Sequence, residues 1–257
     1  MRRVKVGCCG WAIKGGRKAY FKEFSLIELQ STFYKLPRPE TARKWRTEAP
    51  DDFEYTLKAW QVITHPASSP TWRKARLKID ESIRSRYGFL KPTEENFKAW
   101  ERTLEICKIL KAQICVFQTP PSFRPSEENL ENLKAFFSSI SRDGIQLAWE
   151  PRGVWNQKPD LIRKICDELD LIHVVDLLKR WPLSSHEIAY VRLHGLGGEI
   201  NYRYKYTEKD LRELLRRVFK LLESKALVYV LFNNIYMGED AKRFKQMIET
   251  ELEEEAV

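Results

Sequence analysis

The sequence predicts an α/β fold, a single (β/α)8 TIM barrel spanning residues 1–257, and three observations support it. Eight short runs of aliphatic and aromatic residues have the length and composition of strands. Successive runs begin about 32 residues apart on average, close to the roughly 30-residue βαβ unit. The composition, 43% hydrophobic and 32% charged without a Gly/Ser-rich linker, is that of one globular domain.

The eight predicted strands are connected mostly by segments with helical periodicity. They cover residues 4–9, 26–30, 53–58, 114–118, 145–150, 171–176, 189–194 and 227–232. The first connection, residues 10–25, is barely long enough for a parallel crossover, so its helix should be shortened. Thr93, Ser126 and Thr207 each precede an amphipathic run and are predicted to cap helices of the outer ring.

The third strand-to-helix connection is unusually long and basic. More than thirty residues separate Ala59 from the helix that begins near Thr93. Ser69 and Pro70 predict a helix start within it, with Trp72, Ala75, Ile79 and Ile83 on one face. The segment carries many bases and only two acids, Asp80 and Glu81; the bases are Arg73, Lys74, Arg76, Lys78, Arg84, Arg86 and Lys91. Because it follows a strand, we expect it at the carboxyl-terminal mouth, where barrel enzymes keep their sites.

The segment 195–206, after the seventh strand, combines glycines with alternating aromatic and basic residues. Backbone N–H groups bind phosphate at this position in many barrels, and glycines would permit a close approach. Tyr202 to Tyr206 resembles a stacking surface for bases or sugars. The alternative is a solvated loop whose tyrosines pack on their neighbours.

Polar side chains occur at the ends of most predicted strands. In the seventh strand Ile188, Tyr190, Arg192 and His194 share one face, and the small aliphatic residues occupy the other, so Arg192 and His194 should point inward. The same alternation places these residues inside: Glu28, Gln30, Lys58, Gln118, Glu150, Arg152 and Asp176. Asn233 and Asn234 lie on opposite faces, and the pattern does not choose between them. Charges buried in a barrel are costly unless paired or facing a ligand, which favours a site at the mouth over a purely structural network.

Metal and nucleophilic chemistry are the weaker interpretations. His65, His194, Glu28, Glu150 and Asp176 offer nitrogen and oxygen ligands, but no H-E-x-x-H motif is present and neighbouring bases repel a cation. We therefore predict no cofactor and no resident metal, with a divalent ion as the weaker alternative. Cys9 is more typical of a core residue than of an activated thiolate, and the sequence contains no G-x-S-x-G motif.

Charge and cysteine content indicate the environment and the class of partner. The net charge of +9 favours phosphorylated molecules or other polyanions. Five scattered cysteines without a C-x-x-C motif indicate a reducing, cytoplasmic setting. The sequence contains no apolar run of membrane-spanning length and no signal-peptide pattern, so we expect no membrane association.

Short motifs along nearly the whole chain resemble the DUF72 family, also called YecE-like proteins. They are GCCGW at 7–11, IELQSTFY at 27–34, LP at 36–37, TARKW at 41–45, Lys58, TH at 64–65, FQTPPSF at 117–123, EPR at 150–152, Trp155, YVRLHG at 190–195 and FNN at 232–234. The resemblance implies a TIM barrel, but the family has no established biochemical activity. Cys8 and Cys9 stand where the family usually has small or hydroxyl residues, Gln30 replaces an Asn, and the segment from Trp11 to Glu28 is shorter than usual.

The leading hypothesis is a barrel enzyme that acts on an anionic substrate, either phosphorylated or derived from nucleic acid, with hydrolase-like acid/base chemistry. Glu150, His194 and Glu28 are the predicted catalytic residues. The predicted substrate-binding residues are Lys58, His65, Gln118, Arg152, Asp176, Arg192, Gln30, Asn233, Trp11 and Tyr34. Two alternatives remain: a non-catalytic nucleic-acid-binding protein with a basic, Tyr-rich mouth, and a ligand-free scaffold whose polar residues neutralise one another.

Overall fold

The predicted TIM-barrel fold is confirmed by a computed structural model that describes residues 3–77 and 79–254. Eight parallel strands form a closed barrel in the order of the sequence, and the last strand pairs with the first. The strands are β1 (Arg3–Cys8), β2 (Leu26–Leu29), β3 (Glu54–Lys58), β4 (Ile114–Gln118), β5 (Gln146–Glu150), β6 (Ile172–Val175), β7 (Ile188–Leu193) and β8 (Leu227–Phe232). Their bounds fall within one or two residues of the predicted runs.

Helices surround the barrel on its outside. They are α1 (Gly16–Glu23), α2 (Ser31–Tyr34), α3 (Pro39–Glu48), α4 (Gln61–Thr64), α5 (Pro70–Ala75), α6 (Glu94–Leu110), α7 (Glu127–Ser139), α8 (Pro159–Glu168), α9 (Glu208–Leu222) and α10 (Met237–Glu254). Two short 3-10 helices lie at Glu81–Arg86 and Gly153–Gln157. Among the described residues, none of these helices has the length and apolar character needed to cross a bilayer.

Alternation along the strands separates two buried layers. The larger apolar cluster fills the space between the strands and the helices, and includes Val191 and Leu193 of β7. A smaller cluster lies inside the barrel; its buried members are Cys9, Leu26, Ile114, Val116, Ala148, Ile172, Val174, Tyr190, Tyr229 and Leu231. The inward orientation of the Tyr190 face of β7 agrees with the sequence prediction. The polar residues that continue each inward face therefore emerge together at the carboxyl end.

The three predicted helix caps form as expected. The hydroxyls of Thr93, Ser126 and Thr207 accept hydrogen bonds from backbone N–H groups three residues later, at 3.4, 3.3 and 3.2 Å. Thr207 and Asp210 complete a capping box at the start of α9. These bonds fix the first turns of α6, α7 and α9, and thereby the positions at which three connections leave the mouth.

Two connections differ from the regular pattern. The first connection, between β1 and β2, is short as predicted, because α1 has only eight residues. The sixth lacks a helix within the part of the chain that the structure describes, a feature that the strand spacing did not reveal. Here the returning chain lies along β6, where the backbone N–H of His173 donates to Ser184 and that of Leu183 donates to the His173 ring. The outer side of β6 is thus covered by a loop.

The predicted helix in the long third connection is shorter than expected. Helix α5 ends after Ala75 because Arg76 adopts a left-handed conformation with φ of 52°. Ile79 and Ile83 therefore do not share a helical face with Trp72, and that prediction was wrong. The Trp72 indole instead donates to the His65 carbonyl at 3.1 Å and anchors the connection. Lys78, one of its predicted bases, lies outside the described residues.

Candidate functional site

Arg192 is the centre of a cluster of charged residues at the carboxyl end of the barrel. Its side chain is completely buried, and its Nη2 donates to Glu28 Oε1 at 2.8 Å while its Nη1 donates to Glu150. The second oxygen of Glu150 pairs with Arg152. Strands β2, β5 and β7 therefore bring two carboxylates and two guanidinium groups into contact. Glu28, Glu150 and Arg192 are far apart in the sequence, and we call these three residues together with Arg152 the rim cluster.

Glu28 forms the base of the rim cluster. Its exposed fraction is 0%. One oxygen accepts from Arg192 and the other accepts from the Tyr190 hydroxyl at 2.9 Å. That hydroxyl also shares a hydrogen bond with Thr56 at 2.7 Å. Because Glu28 is fully enclosed, its geometry suits a group that positions Arg192, and its predicted catalytic role stays a prediction.

Glu150 remains a carboxylate. Burial opposes its ionisation, but Arg152 and Arg192 outweigh that effect and hold the pKa of Glu150 well below its usual range. A carboxyl group with this pKa does not supply a proton near neutral pH. The geometry of Glu150 suits the orientation of the two guanidinium groups, and its place among the catalytic residues stays a prediction.

His194 is held as a neutral imidazole. Its Nδ1 lies 3.0 Å from the Arg192 carbonyl oxygen, which can only accept, so Nδ1 carries the proton. Its Nε2 lone pair then faces Arg152 Nη2 at 3.1 Å. Burial, with smaller contributions from the neighbouring arginines, lowers the pKa of His194 well below its ordinary value. A ligand that moves Arg152 would leave this lone pair free to accept a hydrogen bond.

Asp176 organises the edge of the cluster next to β6. Its carboxylate accepts from the backbone N–H groups of His194 at 3.1 Å and Leu178 at 3.2 Å, and it pairs with Lys179 at 3.0 Å. Burial raises the pKa of Asp176 although Lys179 opposes the shift. These contacts hold the chain segments that follow β6 and β7.

Lys58 enters the mouth from β3. Its Nζ donates to Gln118 Oε1 at 2.7 Å and lies 3.9 Å from the centre of the Phe33 ring. Burial, reinforced by the charge of Arg192, lowers the pKa of Lys58 to about 7. Glu150 and Glu28 oppose this shift only in part. Lys58 is therefore the amine of this region that changes its charge near neutral pH.

The other predicted binding residues occupy different places. His65 is buried against the Phe33 ring and shares a hydrogen bond with Thr64; burial lowers the pKa of His65 to about 3. Tyr34 lies beside Lys74, and Gln30 follows β2 in a half-buried position. Trp11 does not join the site. It packs outside the barrel in an aromatic cluster whose other members are Tyr20, Phe21, Phe53 and Tyr55.

The structure distinguishes the two asparagines after β8. Asn234 donates to Asp240 and to the Tyr204 carbonyl, both at 2.7 Å, and so ties the last helix to the loop after β7. The Asn233 amide Nδ2 is buried and has no hydrogen-bond partner among the described residues. Arg152 Nε and Arg192 Nε are in the same state. Among the described residues, these three buried N–H donors have no protein acceptor.

A narrow cavity opens beside the rim cluster. Its ionisable lining residues are Glu150, Arg152, Asp176, Arg180, His194 and Glu199. The side chains leave room for about one water molecule. Arg180 pairs with both oxygens of Glu199, at 2.9 and 2.7 Å, across the outer part of the cavity. The predicted residues do converge, but a larger ligand must displace side chains to enter.

The loop after β7 is less available than its sequence indicates. The Gly195 N–H donates to the buried Tyr206 hydroxyl at 2.7 Å, and the Tyr204 hydroxyl donates to Asp210 at 2.7 Å. The expected phosphate contact of Gly195 and the expected stacking by Tyr204 and Tyr206 are therefore not supported. Tyr202 remains 45% exposed, with its ring centre 6.2 Å from that of His194.

Several residues at the mouth were not identified from the sequence. Phe33 supports Lys58, and Arg180 and Glu199 close the cavity. Arg180 and Glu199 lie in loops, where strand alternation gives no information. Across the residues that the structure describes, no group of three or more His, Cys, Asp or Glu is arranged to hold a metal ion.

Comparison with known proteins places this chain among similar barrels. The model of the family described as "Protein of unknown function DUF72" matches residues 5–257. UPF0759 protein YunF of Bacillus subtilis is 25% identical over 96% of this chain and 94% of its own length. A DUF72 family protein of Thermotoga maritima is 25% identical, with a TM-score of 0.71 over 96% of this chain and 99% of that one. A DUF72 family protein of Enterococcus faecalis is 18% identical, with a TM-score of 0.72 over 97% and 98%.

Two more distant structures share the fold alone. D-psicose 3-epimerase is 12% identical, with a TM-score of 0.52 over 96% of this chain and 98% of its own. Endonuclease IV from Thermus thermophilus is 15% identical, with a TM-score of 0.51 over 98% and 99%. Both likenesses extend over the whole barrel, and at these identities they say nothing about the reaction.

Proposed function

Because the chain belongs to the DUF72 family, which is described as proteins of unknown function, we propose its function from the rim cluster: an enzyme that binds a small phosphorylated substrate at the barrel mouth. The observation that carries this proposal is the pair of unpartnered buried donors Arg152 Nε and Asn233 Nδ2. Buried donors are normally satisfied, and oxygen atoms of an anion would satisfy these.

The balance of charges supports an anionic ligand. Within the rim cluster two carboxylates are paired with two guanidinium groups. Protonated Lys58 adds a positive charge, and its direct contacts are an amide oxygen and an aromatic ring. A bound phosphate would compensate that charge and offer acceptors to Arg152 and Asn233. Barrel enzymes bind their substrates at this end of the strands.

Arg152 is the residue we expect to contact the anion directly. It lines the cavity, whereas Arg192 lies beneath it with an exposed fraction of 0%. In the structure Arg152 contacts Glu150 and His194. Turning toward a phosphate would free the His194 lone pair, which can then accept a hydrogen bond from the substrate. Glu150 and Glu28 hold the guanidinium groups in place.

Phosphate binding to Arg152 variants tests the proposal. Isothermal titration calorimetry with inorganic phosphate would compare the wild type, R152M, R152K and the control R216M, whose arginine lies on the exposed face of α9. Charge-assisted hydrogen bonds contribute about 1.5–3 kcal/mol, so R152M should bind about 10- to 150-fold more weakly. R152K should fall between, because a lysine keeps the charge without the planar fork. Equal affinity in all four proteins would contradict the assignment.

A second candidate is a protein that binds single-stranded nucleic acid, favoured by the location of the exposed apolar side chains. Within residues 3–77 and 79–254, the large ones all follow β6, β7 or β8: Trp181, Ile200, Tyr202, Ile235 and Tyr236. Tyr202 and Ile235 are joined by a backbone hydrogen bond of 2.8 Å, and Lys205 lies over the Tyr236 ring. Aromatic rings beside basic side chains form the surfaces on which the nucleobases of single strands stack.

Salt dependence separates the two candidates. A single strand that contacts three cationic side chains should lose about 20-fold in affinity between 50 and 200 mM salt, because bound counterions are released. Fluorescence anisotropy with a labelled oligothymidylate would measure this slope for the wild type, Y202A, R203M and R216M. Weaker oligonucleotide binding by Y202A and R203M, with R216M binding as tightly as the wild type, would support the nucleic-acid candidate. Phosphate binding without oligonucleotide binding would support the small-substrate enzyme.

A further inference from the structure

Lys58 is unusual among the inward-facing basic residues. Only 4% of the residue is exposed, and within the described chain no carboxylate lies within 4 Å of its Nζ. Lys5 is the natural comparison, because it also points into the barrel but pairs with Glu54 at the opposite end. The two lysines share one chemical group and one barrel, and they differ in whether an anion accompanies the amine.

The surroundings of Lys58 allow both protonation states of its amine near neutral pH. The face of the Phe33 ring lies 3.9 Å from Nζ and favours the ammonium form, whereas the Gln118 carbonyl oxygen accepts a hydrogen bond that either state can donate. Arg192 and Arg152 add positive charge nearby, and the pKa of Lys58 is lowered to about 7. A substantial fraction of the amine is therefore neutral at physiological pH. Neutral lysine amines in such surroundings are nucleophiles toward carbonyl carbon.

Lys58 lies close enough to the rim cluster for one small molecule to contact both. Gln118, which holds Lys58, stands opposite Glu150 in the register of β4 and β5. Lys58 lies in β3, and Glu150, which pairs with Arg152, lies in β5. These two strands are two positions apart in the barrel, or roughly 10 Å at the backbone. Both side chains extend from those strands toward the barrel axis. One compact molecule could place an anionic group at Arg152 and a carbonyl group at Lys58.

We propose that Lys58 forms an imine with the carbonyl group of a small phosphorylated aldehyde or ketone whose phosphate binds Arg152. This inference rests on the proposed function and specifies its substrate class. The Nζ lone pair attacks the carbonyl carbon, and a C–N bond forms as the carbon–oxygen π bond opens. The two amine protons and the carbonyl oxygen then leave as water, which gives a C=N bond without an oxidant or a reductant.

Reductive trapping tests the imine directly. The wild-type protein would be incubated with dihydroxyacetone phosphate and sodium cyanoborohydride, and the modified peptides mapped by mass spectrometry. We expect one adduct per chain at Lys58 and none at Lys5, which serves as the internal control. Inorganic phosphate in excess should reduce the labelling. Dihydroxyacetone, which has the carbonyl but no phosphate, should label Lys58 at least tenfold more slowly.

The outcomes distinguish this inference from the function on which it rests. Labelling at Lys58 that requires both the probe phosphate and Arg152, tested with R152M, supports both. Arg152-dependent phosphate binding without an adduct at Lys58 overturns the imine and leaves the anion site. An adduct at Lys58 that forms equally fast with dihydroxyacetone would overturn the claim that the substrate is phosphorylated. Labelling spread over surface lysines without enrichment at Lys58 also overturns it, and no result depends on whether a Lys58 variant folds.

Discussion

Replacement of Arg192 by methionine should reveal how strongly the rim cluster depends on paired charges. Methionine fills a similar volume without a charge, so the change removes both ion pairs and leaves the packing largely intact. Glu150 keeps Arg152 as a partner, whereas Glu28 keeps only the Tyr190 hydroxyl. Glu28 then becomes a buried carboxylate without a neighbouring cation in contact.

The expected magnitude follows from the complete burial of Arg192 and Glu28. Removing one partner of a buried ion pair costs about 3–5 kcal/mol, so R192M should lower the free energy of unfolding by about that amount. For a chain of this size the midpoint of thermal unfolding should fall by about 6–20 °C. The control R216M removes an arginine whose pair with Glu213 is exposed, and it should change the free energy of unfolding by about 0.5 kcal/mol or less.

A double-mutant cycle separates lost charge pairing from lost packing. E28Q retains an acceptor for Tyr190 and removes the negative charge, so E28Q/R192M no longer holds an uncompensated anion at that position. Urea denaturation of the wild type, both single variants and the double variant would measure the coupling. We expect the double variant to be more stable than R192M by at least about 1 kcal/mol. If R192M costs less than about 1 kcal/mol, or if E28Q makes it worse, the reasoning is wrong.

Three further predictions concern Lys58, Tyr190 and Gly195. Because the Lys58 pKa is about 7 in the folded chain and ordinarily 10.5, the unfolded chain binds an additional proton between these values, and stability should rise with pH there by up to about 1.4 kcal/mol per unit. The groups facing that amine are Arg192, Glu150, Glu28, Arg152 and His65. Denaturation at pH 7.5 and 9.5 should show this gain in the wild type and not in K58M; an equal response would contradict it. Y190F removes the hydroxyl that donates to Glu28 and should cost about 1.5–3 kcal/mol in urea denaturation, and a cost below about 0.5 kcal/mol would show that the bond does not matter. G195A and G144A both place alanine at a φ near +80°, but only the Cβ at Gly195 would lie 2.1 Å from a backbone oxygen, that of Asn201. Thermal unfolding should therefore place G195A at least about 1 kcal/mol below G144A, and equal losses would show that the loop moves freely.

Much of the barrel could be predicted because alternation and spacing are local properties of the chain. The inward face of β7 and the caps Thr93, Ser126 and Thr207 follow from residues only a few positions apart. The missing helix after β6 was not predicted, because a 12-residue loop and a short helix have similar lengths. The early end of α5 depends on the left-handed conformation of Arg76, a residue type that carries no such signal.

The sequence could indicate which site residues point inward but not which of them are available to a ligand. Strand alternation placed Glu28 and Glu150 correctly, yet their partners decide their chemistry: Glu28 is enclosed by Arg192 and Tyr190, and Glu150 is held ionised between two guanidinium groups. Trp11 has a matching motif but packs outside the barrel. Side-chain partners come from strands far apart along the chain, so local patterns do not contain them.

The sequence by itself determined a closed barrel with polar residues at one end, because strand period and crossover length are set by neighbouring residues. Only the tertiary structure decided that Arg152, Arg192 and Asn233 retain unpartnered donors while Glu28 and Glu150 are already paired. It also decided that Lys58 is an amine beside an aromatic ring rather than half of an ion pair. The physical reason is that ionisation and hydrogen-bond capacity depend on what surrounds a group in three dimensions, which the order of residues does not specify.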